Sequence, residues 1–147
     1  MKKTFLLLSF SLLVFACNST SDKTEEHAEH AHSETTNLAL NNGAKWKADA
    51  STSNNVLDIK IIADNFKTKP SPSVNDYQLL SSDLKNGLDK MIKECKMSSP
   101  DHEALHQWLN PILKNTNELK SVSDTTTGSS LFKSIDQKID EYHNYFE

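Results

Sequence analysis

Residues 73–95 read SVNDYQLLSSDLKNGLDKMIKEC. Within this stretch Tyr77, Leu80, Leu84, Leu88, Met91 and Cys95 recur at steps of three and four residues. A rotation of about 100° per residue places all six on one stripe of an α-helix, whereas a strand would need alternation with period two. Ser73 supplies an oxygen that can cap the start, and Ser98-Ser99-Pro100 stops the helix.

The same period extends in both directions. A following helix is expected with Ser99 as N-cap, Pro100 at its first position and Asp101 facing the positive end of the helix dipole. Its apolar face runs Leu105, Leu109, Ile112, Thr116 and Leu119. Pro111 lies inside it, frees the carbonyl of Gln107 and should kink it. The last helix presents Leu131, Ile135, Ile139, Tyr142 and Phe146. A weaker one precedes the opening stretch, with Val56, Ile59, Ile62 and Phe66 flanked by Leu57 and Ile61 behind a loose Ser51-Thr52-Ser53 start. Lys67 to Ser73 and Ser121 to Ser130 read as connections. Four helices joined by short loops make residues 38–147 an all-α, up-down-up-down four-helix bundle.

The amino terminus reads as an address. Lys2 and Lys3 precede an eleven-residue apolar run from Phe5 to Phe15, too short to span a bilayer, which needs about 20 residues. Val14-Phe15-Ala16-Cys17 resembles a bacterial lipobox, although Phe15 is bulky for its position. Residues 1–16 are therefore expected to be a lipoprotein signal peptide. Cleavage leaves Cys17 at the new terminus, where acyl chains such as palmitate anchor the protein; stable attachment needs more than one chain. Residues 18–37, NSTSDKTEEHAEHAHSETTN, contain no large apolar side chain. They are expected to be a disordered acidic tether, because such a segment buries too little surface to offset its ordering entropy. His27, His30 and His32 make it a weak ligand set for Zn²⁺, Ni²⁺ or Cu²⁺, or simply a polar spacer.

Removing that segment changes the charge balance. The chain carries 16 Lys and no Arg against 20 carboxylates. Asp22, Glu25, Glu26, Glu29 and Glu34 sit in the tether beside Lys23 alone, so the bundle is nearly neutral. No cationic surplus is available to displace phosphate counterions, and no guanidinium can grip phosphate or guanine in two-point fashion, so nucleic acid is an unsuitable partner.

In an up-down-up-down bundle the end of the second helix, the start of the third and the end of the fourth meet at one pole. That pole gathers Cys95, Met97, His102, His106 and His143, with Glu103, Tyr142 and Tyr145 nearby. His102 and His106 are four residues apart, so both project from one helix face. With a thiolate and a thioether they form a soft N₂S₂ set suited to Cu(I); Cys and His alone suit Zn²⁺. The plainer reading makes Cys95 and Met97 packing residues and His102 a boundary histidine. No Gly-rich phosphate loop, H-E-x-x-H or C-x-x-C-H is present, and Cys95 has no orienting triad, so no catalytic role is expected.

Three segments carry a resemblance. Leu40-Asn41-Asn42-Gly43-Ala44-Lys45-Trp46, the run C-K-M-x₄-H-x₃-H-x-W-L-x-P from Cys95 to Pro111, and Tyr142-His143-Asn144-Tyr145-Phe146 resemble a family of small Bacteroidota envelope lipoproteins. The resemblance implies a helical domain tethered by lipid in the cell envelope. The acidic Asp22 to Glu26 stretch after the lipid cysteine is similar to signals that send such lipoproteins to the outer cell surface, which favours the outer membrane, facing periplasm or surface. Its Cys95, Met97, His102 and His106 fall within the family motif, and no activity comes with it. Two functions of different kinds follow: a metal-binding or metal-sensing lipoprotein, and an interaction lipoprotein docking on another envelope protein with no metal.

Overall fold

The structure is a computed structural model that describes residues 38–147. The signal peptide, Cys17, and the tether with His27, His30 and His32 lie outside the described residues. Four long helices, α1 (Ala50–Lys67), α2 (Val74–Glu94), α3 (Asp101–Leu119) and α4 (Thr125–Asp140), are followed by the short α5 (Tyr142–Tyr145).

Each neighbouring pair runs antiparallel, as cross-helix bonds demonstrate. Asn55 near the start of α1 donates to Glu94 at the end of α2, 2.8 Å away. Ser81 in α2 donates to the Thr116 carbonyl late in α3, at 2.7 Å. Trp108 early in α3 donates its indole N–H to the Lys138 carbonyl of α4, at 2.7 Å. Lys60 and Lys67 of α1 pair with Asp140 and Asp136 of α4, in reversed order. This is the up-down-up-down bundle, with no strand among the described residues.

The helical stripes close on one another as the spacing demands. Tyr77, Leu80, Leu84, Leu88 and Met91 of α2 are buried against Leu105, Leu109, Ile112 and Leu119 of α3 and Ile135 and Ile139 of α4. Full burial of each aliphatic side chain contributes about 1.5–3 kcal/mol. In α1 the core face is Val56, Ile59 and Ala63, while Leu57 and Ile61 remain exposed on the opposite side. Ser73 caps α2 within a reciprocal capping box with Asp76.

Several boundaries differ from expectation. Helix α2 ends at Glu94, with Cys95 as C-cap in extended backbone, rather than running on toward Ser98. Helix α3 begins after Pro100, without a side-chain cap; the Ser99 hydroxyl instead donates to the Glu103 carboxylate at 3.0 Å. It continues through Pro111 to Leu119. Helix α4 begins at Thr125, inside the stretch expected to be loop, because Asp124 accepts from the Thr127 amide at 2.8 Å and caps it. The last apolar stripe is broken at Glu141, which separates α4 from α5. The loose start of α1 is capped by Asp49, whose carboxylate accepts from the Thr52 amide at 2.7 Å.

Candidate metal-binding pole

One end of the bundle collects the start of α1, the end of α2, the start of α3, and α5. It is tied together by backbone and carboxylate bonds. The chain enters through a hairpin turn in which Asn41 and Ala44 exchange both backbone bonds, at 2.8 and 2.9 Å. Asn42 and Gly43 both take positive φ, 51° and 90°, the pairing that a tight I′ turn requires. The segment then pairs with the carboxyl terminus. The Trp46 amide donates to the Tyr145 carbonyl, Glu147 donates to Trp46, and Ala48 donates to Glu147. Trp46 also donates its indole N–H to the Ala39 carbonyl at 2.8 Å. The Lys47 amide donates to the Asp101 carboxylate at 2.9 Å, fastening this strap to α3.

Asp49 is the second fastener. Besides capping α1 it accepts from the Ser51 hydroxyl and from the Lys96 amide in the α2–α3 connection, at 2.7 Å. Desolvation acts to raise its pKa, but these hydrogen bonds outweigh it and hold the carboxyl at about 2. Sequence reading passed over Asp49, although an Asp directly before a helical run is itself a start signal.

Beneath the strap lies an aromatic cluster. Tyr142 stacks on Phe146 with centroids 4.9 Å apart, and Trp108 meets Tyr142 edge-on at 5.0 Å. Burial pushes the Tyr142 hydroxyl's pKa up, against a hydrogen bond with Ser53 and alongside the negative charge of Asp49. The three segments that carry the sequence resemblance thus converge at this end of the molecule.

The expected ligands are all at or near the pole, but they do not form one set. Cys95 is a free, half-buried thiol, and both it and Met97 pack against the hydrophobic core. The end of α2 at Glu94 accounts for this: Cys95 leaves the helix in extended backbone with its amide still bonded to the Met91 carbonyl. His102 is half-buried and His106 exposed. Their rings do meet, with centroids 4.6 Å apart and planes tilted by 41°. On α3 they lie round the helix from Trp108 and Asn115, which hydrogen-bond α4. His143 is exposed, edge-on to Tyr142 at 5.6 Å. Among the described residues no group of three or more His, Cys, Asp or Glu side chains is placed to hold one metal ion. The closed set of Cys95 with both imidazoles is therefore not assembled among the described residues, where the two histidines are ring neighbours and no more.

Among the described residues no helix is long and apolar enough to cross a membrane. Comparison of the chain with protein-family models, with curated proteins and with solved structures finds no match.

Proposed function

We propose that the protein is a non-catalytic, lipid-anchored envelope protein whose helical bundle binds a transition metal, copper or zinc, at the pole that holds His102 and His106. The reading of residues 1–17 as signal and acylated cysteine supports the anchoring, and the similarity of three segments to small envelope lipoproteins supports the setting. The observation that carries metal binding is the meeting of the His102 and His106 rings at 4.6 Å on one side of α3. Imidazole suits copper, zinc and nickel alike.

The test is metal titration of the chain from residue 17 onward, carrying His27→Ala, His30→Ala and His32→Ala so that the tether contributes nothing. One equivalent of Cu²⁺ or Zn²⁺ is expected to bind, and His102→Ala with His106→Ala should abolish it. Undiminished binding in that double variant would refute the assignment.

A second reading rests on the packing of Cys95 and Met97 against the core. It takes the pole as a structural platform on which the bundle docks to another envelope protein, with no metal involved. Absence of any stoichiometric metal binding would leave this reading in place.

A further inference from the structure

We infer that the Asn42–Gly43 turn is a site of spontaneous covalent modification. Closure of a succinimide there, and its hydrolysis, convert Asn42 to aspartate or isoaspartate and release the hairpin at the start of the strap. No metal at the pole is involved.

The reaction is an intramolecular acyl transfer. The backbone nitrogen of the following residue attacks the asparagine Cγ and gives its proton to water. The bond from Cγ to the carboxamide nitrogen breaks, and that nitrogen leaves as ammonia. Water then opens the five-membered imide at either carbonyl, with no change of oxidation state. Opening at the side-chain carbonyl gives aspartate; opening at the backbone carbonyl gives isoaspartate, whose main chain runs through Cβ and Cγ. A side chain on the following residue crowds the attacking nitrogen, so glycine is the most permissive neighbour. Of the three glycines in the chain, Gly43 and Gly87 follow asparagine.

The fold treats these two pairs differently. Asn42 and Gly43 are both exposed, and the Asn42 carboxamide is held by a long bond, Nδ2 to Asn41 Oδ1 at 3.4 Å. The turn is closed by the two backbone bonds between Asn41 and Ala44, neither of which uses the Gly43 amide. Swinging that nitrogen toward Cγ therefore costs the opening of a two-bond surface turn. Asn86 is also exposed, so exposure does not separate the pairs. Gly87, however, lies inside α2, where its amide is committed to the helical bond with the fourth residue back. Its neighbours Leu84 and Leu88 are fully buried. A Cβ at Gly87 would stand 3.0 Å from Ile59 Cγ1, so the backbone there is pressed against α1. Rotation at Asn86 requires α2 to open.

Isoaspartate inserts an extra backbone carbon into a two-residue loop. An I′ turn sets hairpin register with two residues at positive φ, so the lengthened loop cannot keep the Asn41–Ala44 pair. The indole bond from Trp46 to the Ala39 carbonyl spans the same hairpin and loosens with it. The backbone bonds of Trp46 and Ala48 to the carboxyl terminus lie beyond the turn and remain. Aspartate, the other product, keeps the loop length and adds a negative charge.

Warm incubation of the purified full chain at neutral pH, sampled over weeks, provides the test. Peptide mapping with electron-based fragmentation locates each conversion and separates aspartate from isoaspartate. Asn42 is expected to convert faster than Asn86 by roughly tenfold or more, since local opening free energies run from near zero at the surface to the global value in core helices. In urea the two rates should converge, because the fold no longer distinguishes the pairs. Backbone amide resonances of Asn41 and Ala44, and the indole resonance of Trp46, should shift in step with the appearance of isoaspartate. Asn42→Gly removes the carboxamide and leaves a Gly-Gly pair suited to the I′ turn, so its resonances should stay constant. No conversion at Asn42, equal native rates at the two sites, or a rate ratio unchanged by urea would overturn the assignment. Resonances that drift in Asn42→Gly at the parent's rate would overturn the link between the chemistry and release of the hairpin.

Discussion

Asp49 shows how one carboxylate can set the geometry of an entire end of a bundle. It bonds the first turn of α1 and the amide of Lys96, so its replacement leaves two backbone donors without their partner. Asp49→Ala is expected to destabilise the protein by about 1–3 kcal/mol in urea unfolding, combining a lost cap with an unpaired amide. The charge itself adds a pH dependence. The folded pKa of about 2 is below the ordinary 3.8, so the stabilisation is fully present above the unfolded pKa and fades as pH falls toward 2. Solvent screening keeps this part to about 1 kcal/mol. Unfolding midpoints of the parent and Asp49→Asn should converge between about pH 5 and pH 2; a gap independent of pH would contradict the role given to the charge.

Gly128 poses a different residue-scale question, because helix propensity and packing point opposite ways. It lies in α4, and alanine there would gain up to about 1 kcal/mol of intrinsic propensity. A Cβ, however, would stand 2.6 Å from Cδ2 and 2.8 Å from Cγ of Tyr77. The ring is buried and also packs against Phe66, with centroids 5.2 Å apart, so it cannot simply swing away. Overpacking of this kind costs about 1–3 kcal/mol. Gly128→Ala should therefore lower the thermal midpoint, and an increase would show that Tyr77 repacks freely.

At the scale of elements, the strap from Leu38 to Ala48 and the carboxyl terminus hold each other. Phe146 is 1% exposed, and its neighbours Tyr145 and Glu147 form the backbone bonds to Trp46 and Ala48. Ending the chain at Tyr145 removes a buried ring, which typically costs about 3–5 kcal/mol. With Glu147 it also removes two of the strap's three backbone bonds, leaving the Trp46 amide only the carbonyl of a frayed last residue. Hydrogen exchange should show the Trp46 and Ala48 amides losing protection together. Retained protection would mean that the strap is held by the Lys47–Asp101 bond alone.

The long helices were legible because each repeats its apolar residues over several turns, as in Tyr77 to Met91 and Leu105 to Leu119. What escaped was decided by single polar contacts at the ends. Asp124 starts α4 several residues before its first large apolar residue, and Asp49 rescues a start that looked weak. The break at Glu141 has no periodic signature, because Tyr142 and Phe146 keep the spacing of the stripe on the far side of it. The candidate site divided along the same line. Four-residue spacing on one helix fixed the His102–His106 pair, whereas joining Cys95 to it depended on where α2 ends, a matter of one turn of backbone.

For the whole molecule the decisive relation is between the bundle and its attachment. The described residues start at Leu38, beside the strap that covers the aromatic cluster, at the same end of the bundle as the histidine pair. The bundle offers no membrane-spanning helix among the described residues. Its exposed large apolar side chains do not line one face: Leu57 and Ile61 lie on α1, while Leu79 and Ile92 are thirteen residues apart on α2, about 220° round the helix. Surface adsorption through one amphipathic face therefore has little to work with. On the proposed reading as a lipid-anchored protein, attachment should depend on acylation of Cys17. Cys17→Ala in the full chain is expected to move the protein from the membrane fraction to the supernatant and to abolish incorporation of labelled palmitate, with the helical circular dichroism unaltered. A Cys17→Ala protein that still pellets with membranes after a high-salt wash would mean that something other than lipid holds it, and would return the uncleaved apolar run from Phe5 to Phe15 to consideration as the anchor.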